Sequence, residues 1–262
     1  MKIGAVGDNC MDVYKQIGKA FPGGNPVNVA VYCVRLGEEA SYTGVVGNDD
    51  YGRLLKDALS DKKVDVSHVR ELPGPTAITE VDFIDNDRVF GDYYEGVLEQ
   101  FELTEEDIDF LASHDIVVSG IWGKIEKSLE TIKSKGVPVA FDFADKLDHL
   151  LVEEIIPHVD YAFFSYADGK DEFIKDYMKT MHAKGPQLII VTMGEKGSMV
   201  YDGASFYHYG IVPCKVVDTM GAGDSYIAAF ICGILQKKSI EECMGMGARN
   251  SSITIQYQGA WE

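Results

Sequence analysis

Short apolar runs of strand length alternate with amphipathic segments of helix length through most of the chain. Ile3–Gly7 reads as a buried strand and Val27–Leu36 as a helix, opened by the turn Gly23-Gly24-Asn25-Pro26. Tyr42–Val46 follows as a second strand and Tyr51–Leu59 as a second helix. Ile116–Ser119, Val137–Phe143, Tyr161–Phe164 and Leu188–Thr192 continue the strand series, with helical patterns at Ile125–Lys135 and Glu172–Ala183 between its members. This repeated alternation predicts an α/β fold, with a central, mostly parallel sheet and helices on both faces.

Thr76–Tyr94 breaks the pattern. Ile78, Val81, Phe83, Ile84, Val89, Phe90 and Tyr93 alternate with polar residues around the turn formers Asp85-Asn86-Asp87, which predicts two antiparallel strands. Such a hairpin, inserted early in an α/β chain, is expected to project as a small β lid over about residues 76–94; an edge hairpin with no role is the alternative. A second hairpin is predicted at Met199–Tyr209 around Asp202-Gly203. With no internal repeat, low-complexity tract or linker, residues 1–262 are expected to form one domain carrying that small appendage.

Composition narrows the function classes. A chain of 262 residues, 46% of them hydrophobic, can bury one substantial core and does not read as disordered. A net charge of −18 disfavours a nucleic-acid partner, which calls for a basic face, and argues against docking on anionic membranes. No basic segment followed by a long apolar stretch opens the sequence, and its longest apolar run, Ile227–Leu235, is far below the roughly 20 residues of a membrane helix. The five cysteines are scattered without a CxxC pair, which excludes a zinc ribbon and fits reduced thiols. The expectation is a soluble, cytoplasmic protein.

Four segments carry candidate chemistry. Asp218-Thr219-Met220-Gly221-Ala222-Gly223-Asp224-Ser225 leads into the apolar run Tyr226–Leu235. Small residues before a buried helix let backbone N–H groups and the positive end of the helix dipole converge on an anion. Asp224 at that terminus could take a proton from an attacking hydroxyl, or could simply cap the helix. In Phe21–Ala30, Gly23 and Gly24 allow close backbone approach, and Asn28 offers a donor and an acceptor one turn into the helix. Gly7-Asp8-Asn9-Cys10-Met11-Asp12 follows the first strand, at the strand end where open α/β sheets place ligands. Val191-Thr192-Met193-Gly194-Glu195-Lys196-Gly197 is another strand leading into a polar, glycine-containing loop.

These pieces, in this order, resemble the ribokinase/PfkB family of carbohydrate and nucleoside kinases along essentially the whole chain. The resemblance rests on Gly-Gly-x-x-x-Asn near residue 24 and on Asp-Thr-x-Gly-Ala-Gly-Asp from residue 218. It implies a ribokinase-like fold and ATP-dependent phosphorylation of a sugar hydroxyl, with Mg²⁺ accompanying the ATP. Asp224 is then the catalytic base, and Gly221, Ala222 and Gly223 form an anion hole. Asp12, Gly24 and Asn28 match substrate contacts, while Thr192, Gly194 and Gly197 match a nucleotide loop. The hairpin at 76–94 matches the family's lid, which closes over the sugar and pairs subunits into a homodimer; the resemblance also allows a monovalent cation near Asp218.

Within the family the chain is most similar to the members that phosphorylate fructoselysine at its 6-hydroxyl. Val6–Asp12, Phe21–Cys33, the lid segment Asp85–Gly96, the strand end that contains Trp122, Phe141–Lys146 and Thr254–Trp261 carry that similarity. Arg88, Asp87 and Asp92 place both charge signs on the lid, which suits a zwitterionic amino-acid-bearing sugar, so Arg88 is a candidate substrate contact or a solvated turn charge. The family's Asn-x-x-Glu element is replaced by Ser165-Tyr166-Ala167-Asp168, which leaves Asp168, through water, as the candidate on the metal side. Cys10 stands where many relatives carry Asn. Other ketohexose, ribose or nucleoside kinases of the family, and a non-catalytic sugar or nucleotide sensor of the same fold, are the alternatives. The absence of Gly-x-x-x-x-Gly-Lys-Ser/Thr disfavours a P-loop kinase, and no Gly-x-Gly-x-x-Gly follows the first strand to mark a dinucleotide fold.

Overall fold

Neighbouring residues of the central strands face opposite ways into two apolar cores, which is why those strands read as continuous hydrophobic runs. The computed structural model describes residues 1–84 and 87–261, with the side chains of 82–90 outside the described set. In chain order the elements are β1 (Lys2–Val6), β2 (Cys10–Tyr14), β3 (Lys19–Gly23), α1 (Asn25–Arg35), β4 (Glu39–Gly47), α2 (Asp50–Asp61), β5 (Val69–Leu72), β6 (Ile78–Ile84) and β7 (Asp87–Tyr94). There follow α3 (Glu105–Ala112), β8 (Ile116–Gly120), α4 (Glu126–Ser134), β9 (Val139–Asp142), α5 (Leu150–Ile155), β10 (Tyr161–Ser165) and α6 (Glu172–His182). The chain closes with β11 (Leu188–Thr192), β12 (Ser198–Tyr201), β13 (Phe206–Tyr209), α7 (Ala222–Leu235) and α8 (Ile240–Thr254).

Nine strands form the main sheet in the order β13-β12-β11-β10-β9-β8-β1-β4-β5. Pairing is parallel from β11 through to β5; only the β11–β12 and β12–β13 pairs are antiparallel. Ile116 and Val118 of β8 enter the core beneath α1 and α7, while Val117 between them enters the core beneath α4 and α6. On β11 the same alternation sends Ile190 to the first core and Ile189 and Val191 to the second. The α/β architecture expected from the sequence is therefore the one observed. Among the described residues no helix is long and apolar enough to cross a membrane.

A second sheet of four strands, in the order β3-β2-β6-β7, stands apart from the first. The 78–94 hairpin supplies β6 and β7, but the sheet also takes β2 and β3 from before residue 24. Gly7–Asp12, read from the sequence as the end of the first strand, runs into a second one: Cys10–Tyr14 is a strand, with Met11–Val13 in parallel register against Ile78–Glu80. Its partner lies more than sixty residues away, so local sequence carries little sign of it. The glycines at 23 and 24 end β3 and open α1 directly. Gly24, with φ 112°, is the N-cap of α1, and a Cβ there would come within 2.7 Å of the Asn9 Cα. Only glycine accepts both that conformation and that contact.

Candidate active site

Parallel strands deliver their C-terminal ends to one edge of a sheet, and here that edge meets the N-termini of two helices. Asp8 follows β1, Asp142 ends β9, and Gly120 at the end of β8 pairs with Asp142. Above them, α1 begins with Asn25 and α7 with Ala222. Asp224 lies in the first turn of α7, but it does not cap that helix. Its Oδ1 accepts the Asn25 amide at 2.7 Å and its Oδ2 accepts the Asn28 amide at 2.6 Å. Asn25 also donates to Asp142 Oδ2 at 2.9 Å, so one amide ties two carboxylates together across the cleft. Trp261 Nε1 donates to Asn28 Oδ1 at 2.8 Å.

Burial sets the electrostatics. It pushes Asp224 up to about 6, against the Asn28 and Asn25 hydrogen bonds that favour its charged form. Asp8 and Asp142 are each pushed up to about 7, by burial first and by the Asp224 charge second. All three carboxyls are thus raised toward neutral pH, where a carboxylate can accept a proton, and Asp224 is the one held by two amide donors that favour its charged form. Asp8 is 8% exposed and its Oδ1 has no hydrogen-bond partner among the described residues, and neither does the buried Oδ1 of Asn25. Two unpaired buried acceptors beside an ionised carboxylate make a recess that suits a ligand rich in hydroxyl or ammonium donors.

On the other side of Asp224 a cavity of about 730 Å³ opens, within the roughly 300–1,000 Å³ that small-molecule sites occupy. Thr192, Gly194 and Gly197 line it together with Ser165, Ala222 and Gly223, so two segments far apart in sequence share one wall. Gly223 meets no atom within 4 Å of the place its Cβ would take, so any side chain there would project into open space. The backbone of the Gly221–Gly223 turn is only partly available to an anion, because the Ala222 N–H donates to the Thr219 carbonyl at 3.2 Å. Gly221, at φ 72°, is the N-cap of α7. The first-turn donors that follow it are not used by the helix itself. The cavity thus opens directly onto the first turn of α7.

Asp12 is buried on β2, where Cys10 Sγ lies 3.6 Å from its Oδ1, and it packs against Gly23, two residues before Asn25. Gly24 and Asn28 belong to the same corner. Arg88 lies outside the described residues as far as its side chain is concerned. Asp168 is exposed, on the loop after β10 that carries Ser165 to the cavity. Lys196 ties that loop to the Gly194–Gly197 loop by donating to the carbonyls of Ala167 and Asp168 at 2.8 and 3.0 Å. Among the described residues no three acidic, histidine or cysteine side chains are grouped to hold a metal ion, so a cation would need phosphate oxygens and water as further ligands. The carboxylate of Asp218 accepts the N–H groups of Met220 and Gly259 at 3.1 and 2.6 Å.

Reading the residues in sequence missed Asp8, Asn25, Asp142 and Trp261. Asp8 and Asn25 stood inside segments already singled out, and two amide residues three apart at a helix start was a usable signal. Asp142 and Trp261 lay inside Phe141–Lys146 and Thr254–Trp261, segments singled out for similarity alone, with no residue-level sign of a place in the site.

A family model for the pfkB family carbohydrate kinases matches residues 11–262. Fructoselysine 6-kinase of Shigella flexneri is 48% identical over 259 residues, which cover 99% of both chains. Fructosamine kinase FrlD of Bacillus subtilis is 33% identical, covering 100% of this chain and 93% of its own. Among solved structures, Arabidopsis thaliana ribokinase complexed with ribose and ATP superposes with a TM-score of 0.87 at 23% identity, over 98% of this chain and 93% of that one. The family model and the full-length matches agree with the fold, and the chain belongs to the pfkB family of carbohydrate kinases.

Proposed function

We propose that this chain transfers the γ-phosphoryl group of ATP to the 6-hydroxyl of fructoselysine, with Asp224 as the base. The observation that carries the reading is the position of Asp224. It stands between a nucleotide-sized cavity and an acid-lined recess, with both oxygens oriented by Asn25 and Asn28. In the transfer, Asp224 takes the hydroxyl proton as the oxygen attacks the γ-phosphorus. The bond from that phosphorus to the bridging oxygen breaks, and its electron pair leaves with ADP. Phosphoryl transfer needs positioning and charge stabilisation more than covalent help. Gly221 and Gly223, with the amide of Ala222 if Thr219 releases it, would face the charge that builds on the phosphoryl oxygens. Thr192, Gly194 and Gly197 would seat the nucleotide. Magnesium bound with ATP would offset phosphate charge, held on the protein side by Asp168 through water. A monovalent cation near Asp218 would share a carboxylate that already accepts the N–H groups of Met220 and Gly259.

On the sugar side, Asp12, Gly24 and Asn28 would fix the hydroxyls. The recess around Asp8 and Asp12 is acidic, and a fructosamine differs from fructose by a protonated amine, so the charge supports the substrate that the names of the relatives suggest. Tyr93 of the lid lies near enough to Asp8 and Cys10 for their charges, after burial, to push its hydroxyl well up. Trp122, just past β8, is 53% exposed with the Lys146 ammonium 5.8 Å from its ring, and would offer a flat wall to the amino-acid portion. Arg88 on the lid would complete that rim. The small sheet would close over the sugar and pair two subunits, because Ile17, Phe21, Tyr93 and Tyr94 on it are 40–51% exposed. A cytoplasmic setting goes with ATP as donor.

The test is Asp224→Asn. Turnover is expected to fall by about 10²–10⁴ with the fold and ATP binding retained, whereas near-normal turnover would remove Asp224 as the base. The substrate is tested by ADP release with fructoselysine, fructose and nucleosides. Faster turnover of a plain ketohexose or a nucleoside overturns the fructosamine assignment while leaving the kinase intact.

A further inference from the structure

Residues 257–261 run back along α1 into the site. Arg35 donates to the Tyr257 hydroxyl at 2.6 Å, the Tyr32 hydroxyl donates to the Ala260 carbonyl, and Trp261 Nε1 donates to Asn28 Oδ1 at 2.8 Å. Asn28, Tyr32 and Arg35 are spaced four and three apart, which puts them on one face of the helix. The same segment grips the loop that precedes α7. Gly259 N–H donates to Asp218 Oδ2 at 2.6 Å, and a Cβ on Gly221 would lie 3.1 Å from the Ala260 Cα. Residues 257–261 therefore touch both halves of the machinery, the helix that orients the base and the turn that bears it.

Trp261 has a specific chemical effect on Asn28. An indole N–H can only donate, whereas a carboxamide has a donor end and an acceptor end. With Oδ1 occupied by Trp261, Asn28 can present only its NH₂ to Asp224. Were Oδ1 free, the amide could turn over and accept a hydrogen bond from protonated Asp224, which would favour the spent form of the base. We propose that Trp261 is a positioning residue, which through Asn28 fixes the orientation of Asp224 and makes the C-terminal segment part of the catalytic apparatus. This rests on the reading of Asp224 as the base. The titratable groups facing Asp224 are Asp8 after β1, Asp142 on β9 and Tyr32 on α1, and Trp261→Phe alters none of them directly.

The experiment compares the full chain with Trp261→Phe, Asn28→Ala, the double variant and Asp224→Asn from pH 5 to 9. Trp261→Phe keeps the ring and removes the donor. It is expected to lower kcat about tenfold with KM for ATP nearly unchanged, the scale on which outer partners of a reactive group act. The acid limb of its kcat profile should move to higher pH, and its unfolding midpoint should stay put. Adding Trp261→Phe to Asn28→Ala should cost little more than Asn28→Ala alone. Trp261→His, which keeps a ring N–H, should recover part of the loss, and it carries the test if the Phe variant does not accumulate. A wild-type kcat and acid limb in Trp261→Phe, or a loss fully additive to Asn28→Ala, overturns the proposal. If Asp224→Asn itself keeps turnover, the base assignment fails first and this inference falls with it.

Discussion

Replacing Asp8 by Asn changes stability in a way that depends on pH, and the change can be worked out from the recess. Burial and the neighbouring Asp224 charge raise the Asp8 carboxyl from 3.8 to about 7. Between those values the folded protein holds a proton that the unfolded chain has released. For a group raised on folding, the stability contribution is fully present below pH 3.8 and is lost as pH climbs to about 7. From pH 5 to pH 8 that loss spans about two pKa units, or about 3 kcal/mol at 1.36 kcal/mol per unit. Asn has no such titration. Any fixed cost of its amide, including an unpaired buried N–H, is the same at both pH values and cancels in the comparison. Asp142 and Asp224 titrate in the same recess and take up part of the relief, so the measured change should be about 1–3 kcal/mol. Urea unfolding of the ligand-free protein at pH 5 and pH 8 measures it. With an m-value of about 2–3 kcal/mol/M, the midpoint of Asp8→Asn relative to wild type should rise by roughly 0.5–1 M between the two. An unchanged midpoint difference would mean that Asp8 is not held in a recess shared with Asp224, and the acid-lined site would lose its physical basis.

Two glycines in one turn should respond oppositely. Gly223→Ala has open space around its Cβ and should raise KM for ATP several-fold, roughly the effect of a methyl group in a binding cavity, with an unchanged unfolding midpoint. Gly221→Ala, at φ 72° with the Tyr32 hydroxyl 2.5 Å from the added carbon, should cost about 1–3 kcal/mol of stability in the same unfolding assay. Pairing through the lid predicts a mass near twice 28.9 kDa by light scattering at micromolar concentration, and a monomeric mass would reject it.

The parts of this protein that could be read in its sequence are those whose physics is local. Six apolar runs alternating with helical segments determine a two-faced sheet, because each residue's direction follows from the one before it. The Gly221–Asp224 turn was legible for the same reason: small residues, then a helix so apolar that Ser225 to Gly233 are all buried. The four-stranded sheet was only half legible. The 78–94 hairpin announces itself by its turn residues, whereas Cys10–Tyr14 becomes a strand only because β6 arrives beside it.

The site was legible at its centre and not at its supports. Asp224 and Asn28 lie in motifs, yet the bond that joins them spans 196 positions, and the bridge from Asn25 to Asp142 spans 117. Periodicity does not encode such distances. Still, α1 carried a trace of its partner. A helix buried from Pro26 to Cys33 has little reason to keep Asn28, Tyr32 and Arg35 on one line unless something polar runs along it. Asn28 and Tyr32 on that line are buried and have to be satisfied from somewhere, while Arg35 at its end is exposed. Here they are satisfied by residues 257–261, which also hold Asp218 and pack on Gly221. The polar line on α1 is therefore the imprint in the sequence of residues 257–261, and it places Trp261 within one hydrogen bond of Asn28 and two of Asp224.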